Sequence, residues 1–137
     1  MRLLNIRGKL VSKNVSYYLI KWDKPSRSNF QFDVKQFLKK YWQNHIVYEE
    51  FPVYGTKLRV DILNATMRIA VEVNGVQHVE FSKFFHGYKS NFFRSIQRDI
   101  NKIQWLELNN FKIVEIEPTD MPLTVNYIKN KLGVSII

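Results

Sequence analysis

The stretch RVDILNATMRIAVEVNGVQH, residues 59 to 78, places a single acid inside each of two apolar runs and then ends in Gly75, Gln77 and His78. Alternating apolar residues over so short a span read as strands, and side chains on a strand point to opposite faces in turn. Val60 and Ile62 would then share one face with Asp61 on the other, and Val71 and Val73 would oppose Glu72 and Asn74. If the two strands are neighbours, their carboxylates can converge. Two convergent carboxylates repel unless a cation neutralises them, and oxygen donors alone suit Mg²⁺ or Mn²⁺. The competing reading is that both acids are solvated on an open sheet face.

The rest of the chain supplies a frame for that pair. At 137 residues, with 45% apolar and 15% aromatic content, the sequence has the length and composition of one packed domain. No repeat, low-complexity tract or linker divides it, so residues 1–137 are read as a single domain. A seam near residue 28 separates a basic N-terminal extension from the core, 29–137. In the extension, LLNIRGKLV and VSYYLIKW alternate as two strands of a β-ribbon, with SKN at residues 12 to 14 as the turn. Ser28 followed by Gln31 has the form of a capping box. Phe30, Val34, Phe37, Leu38 and Tyr41 then recur at helical spacing to about Gln43, leaving Lys35, Lys39 and Lys40 outside.

Strands are predicted at about 46–53, 58–63 and 68–74, with YGTK at 54–57 as a hairpin turn. A long aromatic loop covers 75–89, a helix about 90–109 and a strand 111–117. A short C-terminal helix would start at Pro122 and end at Gly133. The order predicts an α/β fold with a mixed sheet flanked by helices.

The formal charge of +9 is uneven: residues 1 to 60 hold 12 Lys and Arg against 4 acids, and residues 61 to 137 hold 9 against 8. Such a field attracts polyanions, most often nucleic acid. Zero cysteines removes disulfides, thiolate zinc sites and cysteine nucleophiles. No apolar run approaches the roughly 20 residues of a membrane span, and the start MRLLNIRGKLVSK lacks a signal-peptide layout. An intracellular soluble protein with no membrane partner is expected.

The order of EEFPV.GT.LRVDIL, AVEVNGVQH, FFH at 84–86 and QRDINKIQWLELNNFKIVEI resembles the PD-(D/E)XK nuclease superfamily. The resembling branch includes the very short patch repair endonuclease and phage-type homing endonucleases with a Glu, Asp, x-His, Asp site. The resemblance runs from Glu50 to Glu117, about half the chain. It implies a restriction-endonuclease-like fold, a cytoplasmic setting in a bacterial or phage-infected cell, and Mg²⁺- or Mn²⁺-dependent hydrolysis of double-stranded DNA. Asp61 would be the central metal ligand, with Glu72 and Glu50 beside it. Glu49, facing the other side of its strand, would be a solvated edge charge.

A typical member has Lys two residues after the second acid, where this chain has Asn74. His78, with an ordinary pKa near 6.5, is then the candidate base, and Gln77 would hold a water or a phosphate oxygen. On the second helix Asp99 would approach the metal, while Arg94, Arg98 and Lys102 would meet phosphates. Asp99 with Lys102 is equally an i, i+3 ion pair. Lys9 and Lys13 of the ribbon would follow the DNA backbone. One metal site cuts one strand at a time, so a homodimer is one route to double-strand cleavage. Three functions follow: a homing-type, repair-type or junction-resolving endonuclease; a catalytically silent nucleic-acid-binding module on the same fold; or a basic protein-binding adaptor.

Overall fold

The N-terminal segment turns back on itself earlier than strand periodicity predicts. In the computed structural model, which describes residues 1–74 and 100–137, β1 (Arg2–Leu4) pairs antiparallel with β2 (Leu10–Ser12). Both strands come from the run LLNIRGKLV, whose alternation predicts a single strand. The reason is local: Asn5 Oδ1 accepts from the backbone N–H groups of Arg7 at 2.9 Å and Lys9 at 3.0 Å, and Gly8 supplies the left-handed residue, φ 79°. The second predicted strand is no strand either. Ser16–Tyr18 form a 3₁₀ turn, held by Asn14, whose Oδ1 accepts from Ser16 N and Oγ. The chain then runs along the outer edge of the main sheet, with Leu19 bridged to Tyr48.

Helix α1 (Asn29–Trp42) begins where Ser28 Oγ accepts from Gln31 N at 3.1 Å, the expected cap. Three antiparallel strands follow: β3 (Val47–Pro52), β4 (Arg59–Asn64) and β5 (Ile69–Val73). Residues 100–108 are helical, designated α2. Strand β6 (Lys112–Ile116) then pairs parallel with β5, giving a four-stranded mixed sheet in the order β3-β4-β5-β6. Helix α3 (Val125–Leu132) is capped by Thr124, not begun by Pro122, and ends at left-handed Gly133. The fold is α/β, with a small antiparallel hairpin beside a mixed sheet flanked by helices. Among the described residues no helix is long and apolar enough to cross a membrane.

Each sheet face carries its own core. On one, Val47, Ile62, Val71, Val114 and Ile116 pack with Val34, Leu38 and Trp42 of α1, Ile128 of α3, and Val134 and Ile136. On the other, Tyr48, Phe51, Val60, Leu63 and Ala70 pack with Trp105 and Leu106 of α2, together with Leu3 and Val15. Residues 1–28 are thus part of the body: Trp105 Nε1 donates to Leu4 O at 2.7 Å, and buried Asn109 accepts from Leu4 N at 2.8 Å. On the first face, Trp42 Nε1 donates to Ile136 O at 2.8 Å.

One irregularity in this sheet bears on the acids. Val60 and Ile62 are two residues apart, yet they lie in different cores, against the simple alternation predicted for RVDIL. The ladder pairs Glu49 with Ile62 and Phe51 with Val60, so the phase changes at the intervening Glu50 and Asp61. Glu50 has φ 53°, a left-handed conformation that non-glycine residues seldom adopt. Local breaks of this sort re-aim side chains at a sheet edge.

Candidate active site

Asp61 and Glu72 come together across β4 and β5. The backbone ladder joins Ile62 to Val71, and its next step sets Asp61 opposite Glu72. Beyond that point the side chain takes over from the ladder: Asp61 Oδ2 accepts from Val73 N at 2.8 Å. Both residues are buried, at 9% and 8% exposure, which excludes the reading of two solvated surface acids.

Burial and proximity have the electrostatic effect that two carboxylates must have. Burial, reinforced by the negative charge of Asp61, pushes the Glu72 carboxyl up to about 9 from an ordinary 4.5, although Lys102 opposes the shift. Near neutral pH the Glu72 carboxyl therefore keeps its proton. Lys102, on α2, stands with Nζ 3.1 Å from Glu72 Oε1. That is an ion-pair distance, and Glu72 Oε1 has no hydrogen-bond partner among the described residues. A buried carboxylate oxygen without a donor is costly in a folded chain.

The donor set fits a hard divalent cation. Mg²⁺ is commonly held by one or two carboxylates, with waters and phosphate oxygens completing its shell. Asp61 and Glu72 supply two, one of them with a spare oxygen. Among the described residues no three of His, Asp and Glu form a closed cage.

Glu50, the third predicted acid, lies between the rungs that flank Asp61, but its carboxylate is occupied elsewhere. Gln31 Nε2, on α1, donates to Glu50 Oε1 at 3.1 Å and to Glu49 Oε2 at 3.0 Å. The left-handed backbone at Glu50 lets two consecutive acids meet one amide, so they do not face opposite sides. Glu49 is correspondingly no solvated edge charge. Its Oε2 accepts from Ser26 Oγ at 2.6 Å, and its Oε1 meets Lys35 Nζ at 3.0 Å.

Lys35, expected outside α1, is fully buried, and its Nζ also donates to Lys24 O at 2.8 Å. Sequence reasoning missed this Gln31, Lys35 and Glu49 cluster beneath the sheet. Its signal was available only as a capping residue and a lysine inside an apolar helical stripe.

The remaining candidates divide plainly. Asn74, two residues after Glu72, donates from Nδ2 to Glu115 Oε2 at 3.4 Å and from its backbone N to Ile116 O. Lys9 and Lys13 are exposed on the hairpin, and Lys13 Nζ sits 5.0 Å from the centre of the Tyr54 ring. Gln77, His78, Arg94, Arg98 and Asp99, with the aromatic loop, lie outside the described residues.

No family model matches the chain and no solved structure matches it. Two curated viral proteins are similar. "Uncharacterized protein 033L" of Invertebrate iridescent virus 3 is 34% identical over 68 residues, which are 50% of this chain and 35% of the relative. "Uncharacterized protein 307L" of Invertebrate iridescent virus 6 is 34% identical over 77 residues, 55% of this chain and 38% of the relative. The matched region spans little more than a third of either relative.

Proposed function

We propose that this chain is a divalent-metal-dependent DNA endonuclease with a restriction-endonuclease-like core, hydrolysing phosphodiester bonds at the Asp61 and Glu72 pair. The observation that carries the reading is the buried Glu72 carboxyl beside Asp61, whose Oε1 has no hydrogen-bond partner among the described residues. An acid pair kept out of water and short of one positive charge is a common arrangement where a metal binds. The basic first half of the chain supports a polyanionic substrate.

Asp61 and Glu72 would hold Mg²⁺ or Mn²⁺, which when bound supplies positive charge against a phosphate oxygen and lowers the pKa of a water. The chain's own groups perform the rest. Val73 N–H fixes the Asp61 carboxylate, and Lys102 places a second positive charge within reach of the phosphate. Glu72 would hold the cation as its carboxylate, giving up the proton that burial lets it keep. His78, six residues further on, is the proposed base for the attacking water.

Asn74 favours a second reading, a nucleic-acid-binding module that does not cut, because the usual lysine is replaced and the Asn side chain is engaged with Glu115.

Supercoiled plasmid incubated with Mg²⁺, Mn²⁺ or EDTA, beside Asp61→Asn, separates the two. Cleavage that requires metal and disappears in the variant is expected. Intact plasmid that shifts in mobility, equally with and without metal, would replace the enzyme by the binding module.

A further inference from the structure

A second feature lies two residues up β4 from Asp61. Tyr17 is 86% exposed, so its ring contributes almost nothing to the core. Yet its setting is rigid. The 3₁₀ turn that carries it is fixed by Asn14 Oδ1, which accepts from Ser16 N at 3.1 Å and Ser16 Oγ at 2.7 Å. Tyr18 N donates to Val15 O at 2.9 Å.

The Tyr17 ring meets Tyr18 edge to face, with centroids 5.2 Å apart, and Tyr18 is itself anchored against Phe51 at 6.2 Å. Over Tyr18 lies the guanidinium of Arg59, 5.9 Å from the ring centre. One of its nitrogens donates to Glu50 O at 3.2 Å. Arg59 is exposed, and among the described residues it forms no ion pair. A fixed aromatic face next to a directed guanidinium combines the two elements that grip a nucleotide: a π surface for the base and a fork for its phosphate.

Charge argues for the same occupant. Of the four acids in residues 1 to 60, Asp23 and Glu49 are ion-paired with lysines, Glu50 is held by Gln31 and Asp33 is exposed; the exposed Arg7, Lys9, Lys13 and Lys21 have no ion pair among the described residues. Arg59 and Asp61 are separated by about 7 Å along the strand at ordinary strand rise.

We infer that Tyr17, Tyr18 and Arg59 form a stacking site for an unpaired nucleobase of single-stranded DNA, leading its backbone toward Asp61. The inference rests on the nucleic-acid reading above and names the form of substrate that the surface takes: a strand whose bases are free to stack, as at a nick, flap or unwound junction.

The test is equilibrium binding, in EDTA so that no strand is cut, of a fluorescein-labelled 12-nucleotide oligothymidylate and of the same strand with abasic residues in place of its central thymidines. The wild-type chain is expected to prefer the base-bearing strand by about fivefold to a hundredfold, the range for one stacked base. Tyr17→Ala should abolish this preference while still binding the abasic strand as the wild type does. Tyr17→Trp should restore it, and unchanged circular dichroism is expected for both because the ring is exposed. Preference undiminished in Tyr17→Ala, or absent from a wild type that binds both strands, overturns the stacking site and leaves the nuclease reading standing. A wild type that binds neither strand overturns the stacking site, and the plasmid assay then decides the nuclease reading by itself. A change in oligomeric state on Tyr17→Ala, with the preference intact, would assign the ring to a contact between copies instead.

Discussion

Glu72→Gln should make the metal-free protein more stable, and the gain should grow with pH. In the fold the Glu72 carboxyl is pushed up to about 9, and in the unfolded chain it returns to about 4.5. Between those values the unfolded state has lost a proton that the folded state keeps. Deprotonation therefore favours unfolding, and stability falls as pH rises through the window at up to about 1.4 kcal/mol per pH unit. At pH 7 the accumulated penalty is about 3 kcal/mol, present in the wild type and absent from the variant. Gln keeps the size of Glu and can still donate to Asp61, so little packing is lost.

Urea denaturation in EDTA at pH 5, 7 and 8.5 gives the difference directly. The two proteins should be closely matched at pH 5 and diverge steadily above it. Addition of Mn²⁺ should then stabilise the wild type and leave the variant nearly unmoved, because a ligand stabilises only the state that binds it. Parallel stability curves for the two proteins would show that Glu72 is already ionised in the fold without metal, and the proposed cation site would fall with it.

Other consequences are equally accessible. Asp61→Asn should abolish metal-dependent cutting while plasmid binding persists, read on the same gels. Lys35→Met leaves the Glu49 carboxylate half-buried without its cation and should cost about 3–5 kcal/mol in chemical denaturation. Asn109→Ala removes both the acceptor of Leu4 N and a donor to Leu4 O; a loss of about 1–3 kcal/mol is expected, with faster amide exchange at Leu4.

Much of the frame was legible because local chemistry specifies it. Ser28 starts α1 through its own hydroxyl, Gly133 ends α3 in a conformation suited to glycine, and the runs at β3, β4, β5 and β6 carry enough apolar residues to be strands wherever they pack. The convergence of Asp61 and Glu72 was legible for the same reason, since adjacent antiparallel strands pair in register.

What escaped depends on contacts distant in sequence. Lys35 reads as a solvated charge until Glu49, 14 residues on, is placed beside it. The phase change at Glu50 is invisible to periodicity, which assumes that every residue is extended. At the N-terminus the turn signals of Asn5 and Gly8 were present, but the apolar alternation around them dominated.

The tie between Trp105 and Leu4 bridges 101 residues, and the tie between Trp42 and Ile136 bridges 94. These spans set the order in which the molecule can assemble. The meander of β3, β4 and β5 closes through short loops and can form early, yet each of its faces stays wet until segments from opposite ends of the sequence arrive. Folding should accordingly be slow for a chain of this size, in the millisecond-to-second range typical of non-local topologies. Core fragments that begin at residue 29 should expose the indole of Trp105 and bind hydrophobic dyes.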